Sequence, residues 1–284
     1  MMYSTRKKNL KYALPDKSMK YNDRLTIFLP FFLLVLIFTP LGLFSPNIDP
    51  FEHSSFFSLT TIDAGDDQGY YAYMRSFFFD GDVDFFNERN YAYFYYLTRT
   101  NHSLNLWPCG PALLWTPFFL IGEGIEKVSV FMGMAEKTFG YGWSHLVATS
   151  LGTVFYAFCG FLLLYRTLSF LFSKQAALWS CWVLFLSSPL PYFIFVRSRM
   201  GHFAEFFSLS LFLYIWFRRP KISDSVSWGL CLGCVLALVG MSRYTNMAVG
   251  LFPIAIFFVV IRLVLLAAYL YFEVIEKYPL HTYM

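Results

Sequence analysis

Leu25-Thr-Ile-Phe-Leu-Pro30-Phe-Phe-Leu-Leu-Val-Leu-Ile-Phe-Thr-Pro40-Leu-Gly-Leu-Phe44 is a 20-residue run without one charged side chain. Crossing the hydrocarbon of a bilayer takes about 20 apolar residues at a rise of about 1.5 Å each, so the run predicts a membrane-spanning helix. Seven basic residues precede it (Arg6, Lys7, Lys8, Lys11, Lys17, Lys20 and Arg24), against only Asp16 and Asp23. Basic flanks stay on the cytoplasmic side, which makes residues 1–24 a cytoplasmic N-terminus. A cleaved leader is the competing reading. The run is long for one and no small-x-small site follows it, so an uncleaved anchor is expected.

The rest of the chain has the same character. Of 284 residues, 57% are hydrophobic and 14% charged, against about 25% charged in soluble domains, and the mean hydropathy is +0.50. A water-facing surface cannot be assembled from that supply. The 35 Phe and 20 Tyr suit helices in lipid with amphipathic rings at the headgroup level. The net charge of +4 does not point to nucleic acid, because the basic residues cluster beside apolar runs instead of lining one polar face. Five cysteines (Cys109, Cys159, Cys181, Cys231 and Cys234) lie mostly inside apolar runs, as small packing residues do. Cys231-x-x-Cys234 offers two thiols where structural zinc takes four ligands.

Further spans are expected over 143–165, 176–196, 203–217, 228–241 and 246–271. Residues 25–284 then form one all-α, polytopic transmembrane bundle: a first span at 25–44, a large extracytoplasmic loop at 45–142 containing interfacial helices, and the remaining spans within 143–271. The stretch 106–121 carries Pro108, Pro111 and Pro117 and is read as a re-entrant or interfacial segment. That choice keeps Arg166, Lys174, Arg218, Arg219 and Lys221 inside, as positive-inside statistics require; a full span there would invert them. Gly229-x-x-x-Gly233 is expected to let two helix backbones approach closely.

The loop carries the chemistry. Asp63, Asp66, Asp67, Asp80, Asp82, Asp84 and Glu88 place seven carboxylates in 26 residues, out of 18 in the chain. They are interleaved with Tyr and Phe, which a merely wet loop avoids. From Gln68 to Phe79 the pattern fits an interfacial helix, with aromatics toward lipid and Arg75 toward headgroups. Asp66 and Asp67 would precede its first turn, where one of them serves as a cap. Asp80-x-Asp82-x-Asp84 has the oxygen-rich character of a calcium loop, but Phe85 stands where such a loop needs Gly and no Glu closes it. On the same outer face stand Arg197, Arg199, His202, Glu205 and Arg243. Snorkelling to headgroups competes with a functional role for Arg197 and Arg199, whereas Arg243 lies within an apolar stretch and points more strongly to function.

At these residues the chain resembles the polytopic GT-C glycosyltransferases, in particular the bacterial group related to family 39 and the lipid A aminoarabinose transferases. The likeness rests on Asp66-Asp67-Gln-Gly-Tyr70-Tyr71-Ala-Tyr73-Met-Arg75-Ser, on Asp80 to Glu88, on Gly110-Pro-Ala-Leu-Leu-Trp-Thr-Pro-Phe-Phe119, on Met200-Gly-His202-Phe-Ala-Glu-Phe-Phe and on Ser242-Arg243-Tyr-Thr-Asn246. It covers about residues 25–260. It implies an inverting transfer of a sugar from a polyprenyl-phosphate donor to a lipid, glycan or protein acceptor, at the extracytoplasmic face of the plasma (inner) membrane. Asp67, with Asp66 as the alternative, would be the general base. Arg243, with Arg197 or Arg199, would hold the lipid phosphate, with His202 among the substrate-binding residues, and Tyr70 and Tyr71 would stack on sugar or anchor at the interface. No resident cofactor or metal is implied, with a divalent cation as the open alternative. Members usually run to more spans than fit before Met284, so the resemblance implies a C-terminally truncated copy. A lipid-linked-sugar flippase or an inactive remnant are the competing readings.

Overall fold

The computed structural model describes residues 29–34, 65–88, 97–218 and 225–251. Residues 1–24, most of the first expected span, 45–64 and 252–271 lie outside the described residues. Among the described residues every regular element is helical, apart from a bridge between Leu97 and Ser103. In order these are a short helical stretch at 29–34, α1 (Asp66–Arg75) running into a π-turn (Ser76–Asp80), α2 (Gly110–Phe131), α3 (Trp143–Leu171), α4 (Lys174–Ser187), α5 (Leu190–Phe195), α6 (His202–Phe217), α7 (Ser225–Ser242) and a 3-10 segment (Tyr244–Gly250).

α3 is the spine. Its 29 residues make it long and apolar enough to cross a membrane, and it is the one described helix that meets both conditions. α2 packs antiparallel to its first half: Trp115 Nε1 donates to Thr153 Oγ1 at 2.8 Å, and further along α2 Phe119 lies 4.8 Å from the His145 ring. α6 runs parallel to its second half, with Tyr156 on Phe207 and Phe170 stacked on Tyr214. One core joins Phe31, Phe161, Tyr165, Trp182, Phe185 and Phe195, and so ties the 29–34 stretch to α3, α4 and α5. A second joins Tyr71 and Met74 of α1 to Trp115, Phe119, Leu146 and Phe203. Outward faces remain apolar: Trp179, Val183 and Leu186 on α4 and Val226 and Leu230 on α7 are exposed.

Three expectations change. The apolar stretch 176–196 is two helices, not one. Ser188 is extended (φ −99°, ψ 165°) ahead of Pro189, because a proline ring disfavours helical backbone in the residue before it, and α4 at about 21 Å falls short of the hydrocarbon's roughly 30 Å. In the proline-containing stretch, Pro108 precedes the helix, and Pro111 and Pro117 lie in one continuous helix past 121: Pro111 occupies the first turn, where a missing N–H costs nothing, and the helix runs on through Glu123 and Glu126 to Phe131. Among the described residues, nothing stands where a Cβ of Gly229 or Gly233 would be. The close approaches occur elsewhere, at Gly110, where a Cβ would lie 2.5 Å from the Met241 backbone, and at Gly122, where it would lie 2.6 Å from His145 Cα.

Gly110→Ala and Gly122→Ala should therefore each lower stability by about 1–3 kcal/mol, since backbone cannot swing aside to relieve overpacking. Gly229→Ala should be neutral or stabilising by up to about 1 kcal/mol through helix propensity. Thermal unfolding of detergent-purified protein followed by circular dichroism checks all three.

Candidate functional site

The N-termini of α1, α2 and α6 and the C-terminus of α7 converge. Glycines permit it. Gly201, just before α6, takes the Tyr70 ring and Pro111 against its Cα, where a Cβ would sit 2.9 and 3.0 Å from them. Gly110 lets the start of α2 touch the end of α7. Gly65 opens α1 with φ 97°, a left-handed conformation that side chains disfavour.

Asp66 and Asp67 are the first two residues of α1, and Gly65, not an aspartate, is the N-cap; no side chain caps the helix. The capping expectation is thus corrected, although both charges still lie in the first turn, where the helix dipole favours them. Asp66 is exposed and accepts from Trp107 Nε1 at 2.8 Å. The indole can reach it because Trp107 lies flat on Gly69, where any Cβ would collide with the ring. Asp67 is buried, and its Oδ2 faces Arg197 Nη2 at 3.4 Å. Across the junction Glu205 Oε2 meets Arg243 Nη1 at 3.1 Å, Glu205 Oε1 accepts from Asn246 Nδ2 at 2.9 Å, and His202 Nδ1 lies 3.4 Å from both Glu205 and Arg243. The His202 ring rests on Phe193, centroids 4.0 Å apart. Tyr70 stands between the two groups: burial first, then the Asp66 carboxylate, push its phenol up to about 12, with Arg243 acting in the opposite sense. Asp66, Asp67, Tyr70, Arg197, His202, Glu205 and Arg243 are thereby brought together. Glu205, placed on the outer face by the sequence, holds Arg243, and Asn246, which holds Glu205, was legible only as a member of the Ser242–Asn246 stretch.

Two expected site residues are elsewhere. Tyr71 is fully buried, packs edge-on to Phe119 and donates its hydroxyl to the Gly140 carbonyl; no sugar face reaches it. Arg199 is 1% exposed and donates to Ser150 Oγ at 2.9 Å and to the Leu146 carbonyl at 3.3 Å, so it neither snorkels to headgroups nor opens onto the junction. It belongs to a buried polar chain: Ser198 Oγ donates to Ser150 Oγ, and the Ser198 carbonyl accepts from Thr153 Oγ1, which accepts from Trp115 Nε1. That chain fixes the turn from which Arg197 projects.

The acids after α1 have local partners. Arg75, expected among headgroups, instead pairs with Asp80 and with the buried Glu88. Asp82 accepts from Ser76 Oγ and from the Asp84 backbone N–H. Asp84 meets His102 and the Ser103 N–H, which together hold its carboxyl below the usual range. These carboxylates tie the π-turn and the residues after it to Arg75, Ser76 and the turn at His102 and Ser103.

Chemically, the junction offers two arginines, Arg197 and Arg243, each paired with an acid, two acids on an adjacent helix start, and three helix N-termini. Arg243, with its side chain 48% exposed, should tolerate Arg243→Ala with a stability change within about 0.5 kcal/mol. Arg199→Ala should cost about 2–5 kcal/mol, because it leaves a cavity and unpaired acceptors. Denaturation of the two variants side by side separates the roles; equal losses would contradict them. Comparison with family models, with curated proteins and with solved structures returned no match, and the site is defined by the geometry above.

Proposed function

We propose that the chain is a multi-pass membrane glycosyltransferase that moves a sugar from a polyprenyl-phosphate donor to an acceptor hydroxyl at the extracytoplasmic face, with inversion. The observation that carries this reading is the convergence of Asp66 and Asp67 with Arg197, His202, Glu205 and Arg243 around Tyr70. The apolar outer faces of α4 and α7 support the lipid setting, because soluble surfaces seldom expose such patches.

In this scheme Asp67 takes the proton of the acceptor hydroxyl, with Asp66 as the alternative base. The acceptor oxygen forms its bond to the anomeric carbon from the face opposite the phosphate. The bond from that carbon to the phosphate oxygen breaks, and the electron pair leaves with the polyprenyl phosphate. Arg243 and Arg197 hold that leaving anion: a guanidinium offers five N–H donors in a planar fork, and Glu205 engages one nitrogen of Arg243. Helix N-termini directed at the junction add partial positive charge where the phosphate gathers negative charge. Tyr70, half-buried at the centre, is positioned to line the sugar site, and the exposed rings of Phe77 and Phe86 suit the membrane interface.

Vesicles containing the purified protein and a radiolabelled polyprenyl-phosphate sugar test the scheme. Transfer of label to an acceptor is expected; movement of label between leaflets without transfer would instead identify a flippase. Asp67→Asn should lower transfer by about a hundredfold or more, the ordinary contribution of a general base, with membrane insertion unchanged. Full activity in that variant would remove Asp67 from the mechanism.

A further inference from the structure

At the opposite end of α1 from the junction, a second set of ionisable groups meets between α2 and α3. Glu123 and Glu126 stand one turn apart on α2, and His145 lies in the first turn of α3. Gly122 brings them together: its missing side chain lets the α2 backbone close onto His145. His145 Nε2 is 3.0 Å from Glu123 Oε2, and its Nδ1 is 4.0 Å from Glu126 Oε1. One donor atom from each of the three residues lies within 4.8 Å of the others.

From these groups we infer that Glu123, Glu126 and His145 bind a divalent first-row transition ion of the Zn²⁺ type. Two carboxylates with one imidazole are a mixed oxygen and nitrogen set suited to such ions, and the set leaves coordination positions for water. The inference is independent of the transferase reading.

Burial argues that the cluster is more than a wet acidic patch. His145 is 0% exposed and Glu126 5%, and a carboxylate so far from water needs a charge partner or a metal. The ligands are also held in place. The Thr138 backbone N–H and hydroxyl both donate to Glu126 Oε1, as groups behind a ligand do. The imidazole is wedged between the rings of Phe119 and Phe79. Glu123, 16% exposed, marks the open side, where Lys127 Nζ meets its other oxygen at 3.1 Å. A bound ion would join the start of α3 to the middle of α2, and through Thr138 would fix the turn that receives the Tyr71 hydroxyl at Gly140.

The test uses detergent-purified full-length protein, stripped with a chelator and titrated with ZnCl₂ by calorimetry. The expected result is one Zn²⁺ per chain, at least tenfold tighter than Mg²⁺. Zinc at about 100 times its Kd should shift the folding equilibrium about a hundredfold toward the native state, read as a rise in Tm. Glu126→Gln should weaken binding at least tenfold. Because that side chain is buried, Glu123→Gln at the open edge provides the parallel variant, with far-UV circular dichroism confirming its fold. Co²⁺ should give visible absorption bands in the parent protein that Glu123→Gln abolishes. No saturable Zn²⁺ binding, equal affinity for Mg²⁺, or undiminished Zn²⁺ binding in both variants, as would follow from binding at the cysteines, overturns the inference.

Discussion

A guanidinium taken out of water must find hydrogen-bond acceptors, and Arg199 finds them on α3 at Ser150 and the Leu146 carbonyl. The rest of the junction follows from that requirement. With Arg199 anchored inward and Ser198 tied to Ser150 and Thr153, the turn between α5 and α6 has little freedom. Its neighbours Arg197 and Gly201 then both face α1. Arg197 meets the buried Asp67, and Gly201 accepts the Tyr70 ring, so the turn determines where α1 rests.

Close backbone contact does the remaining work. Gly110 sets the start of α2 against the end of α7, so that Arg243, immediately past α7, lies across from α1, while Glu205, itself held by Asn246, orients its guanidinium. Charge at the junction is consequently mixed: acids at helix starts, where dipoles favour them, and arginines nearby, a partly exposed Arg197 against the buried Asp67 and a more open Arg243 against Glu205. Such a site can offer a base and an anion clamp within one compartment. The buried polar chain behind it holds Arg199 against α3's flank, so two arginines only two residues apart in sequence occupy different surroundings.

The long apolar runs were legible. The helices expected at 143–165, 203–217 and 228–241 correspond to α3, α6 and α7, because a long apolar run satisfies its own backbone hydrogen bonds as helix. The break at Ser188-Pro189 was also written in the chain, since proline constrains its predecessor, yet the surrounding hydrophobicity concealed it. Exposure was not legible: Arg197 and Arg199 are equivalent in sequence, and only the packing of the turn sends one outward and one inward. Tyr70 and Tyr71 divide in the same way, as successive helical positions face different neighbours. Among the described residues Gly229-x-x-x-Gly233 carries a motif without a contact, whereas Gly110 and Gly122 carry contacts without a motif. Glu123 and Glu126 gave a faint signal, two acids one turn apart in an apolar helix, but their partner His145 is 22 residues from Glu123 and is revealed only by the fold.

The proposed transfer requires Asp66, Asp67 and Arg243 to lie at one side of the membrane. Single cysteines at positions 66 and 243, in a background with the native cysteines replaced by serine, can be labelled with a membrane-impermeant maleimide in sealed vesicles of known orientation. Labelling of both positions from the same, extracytoplasmic side is the predicted result. Labelling from opposite sides would contradict the shared site and the transfer chemistry built on it.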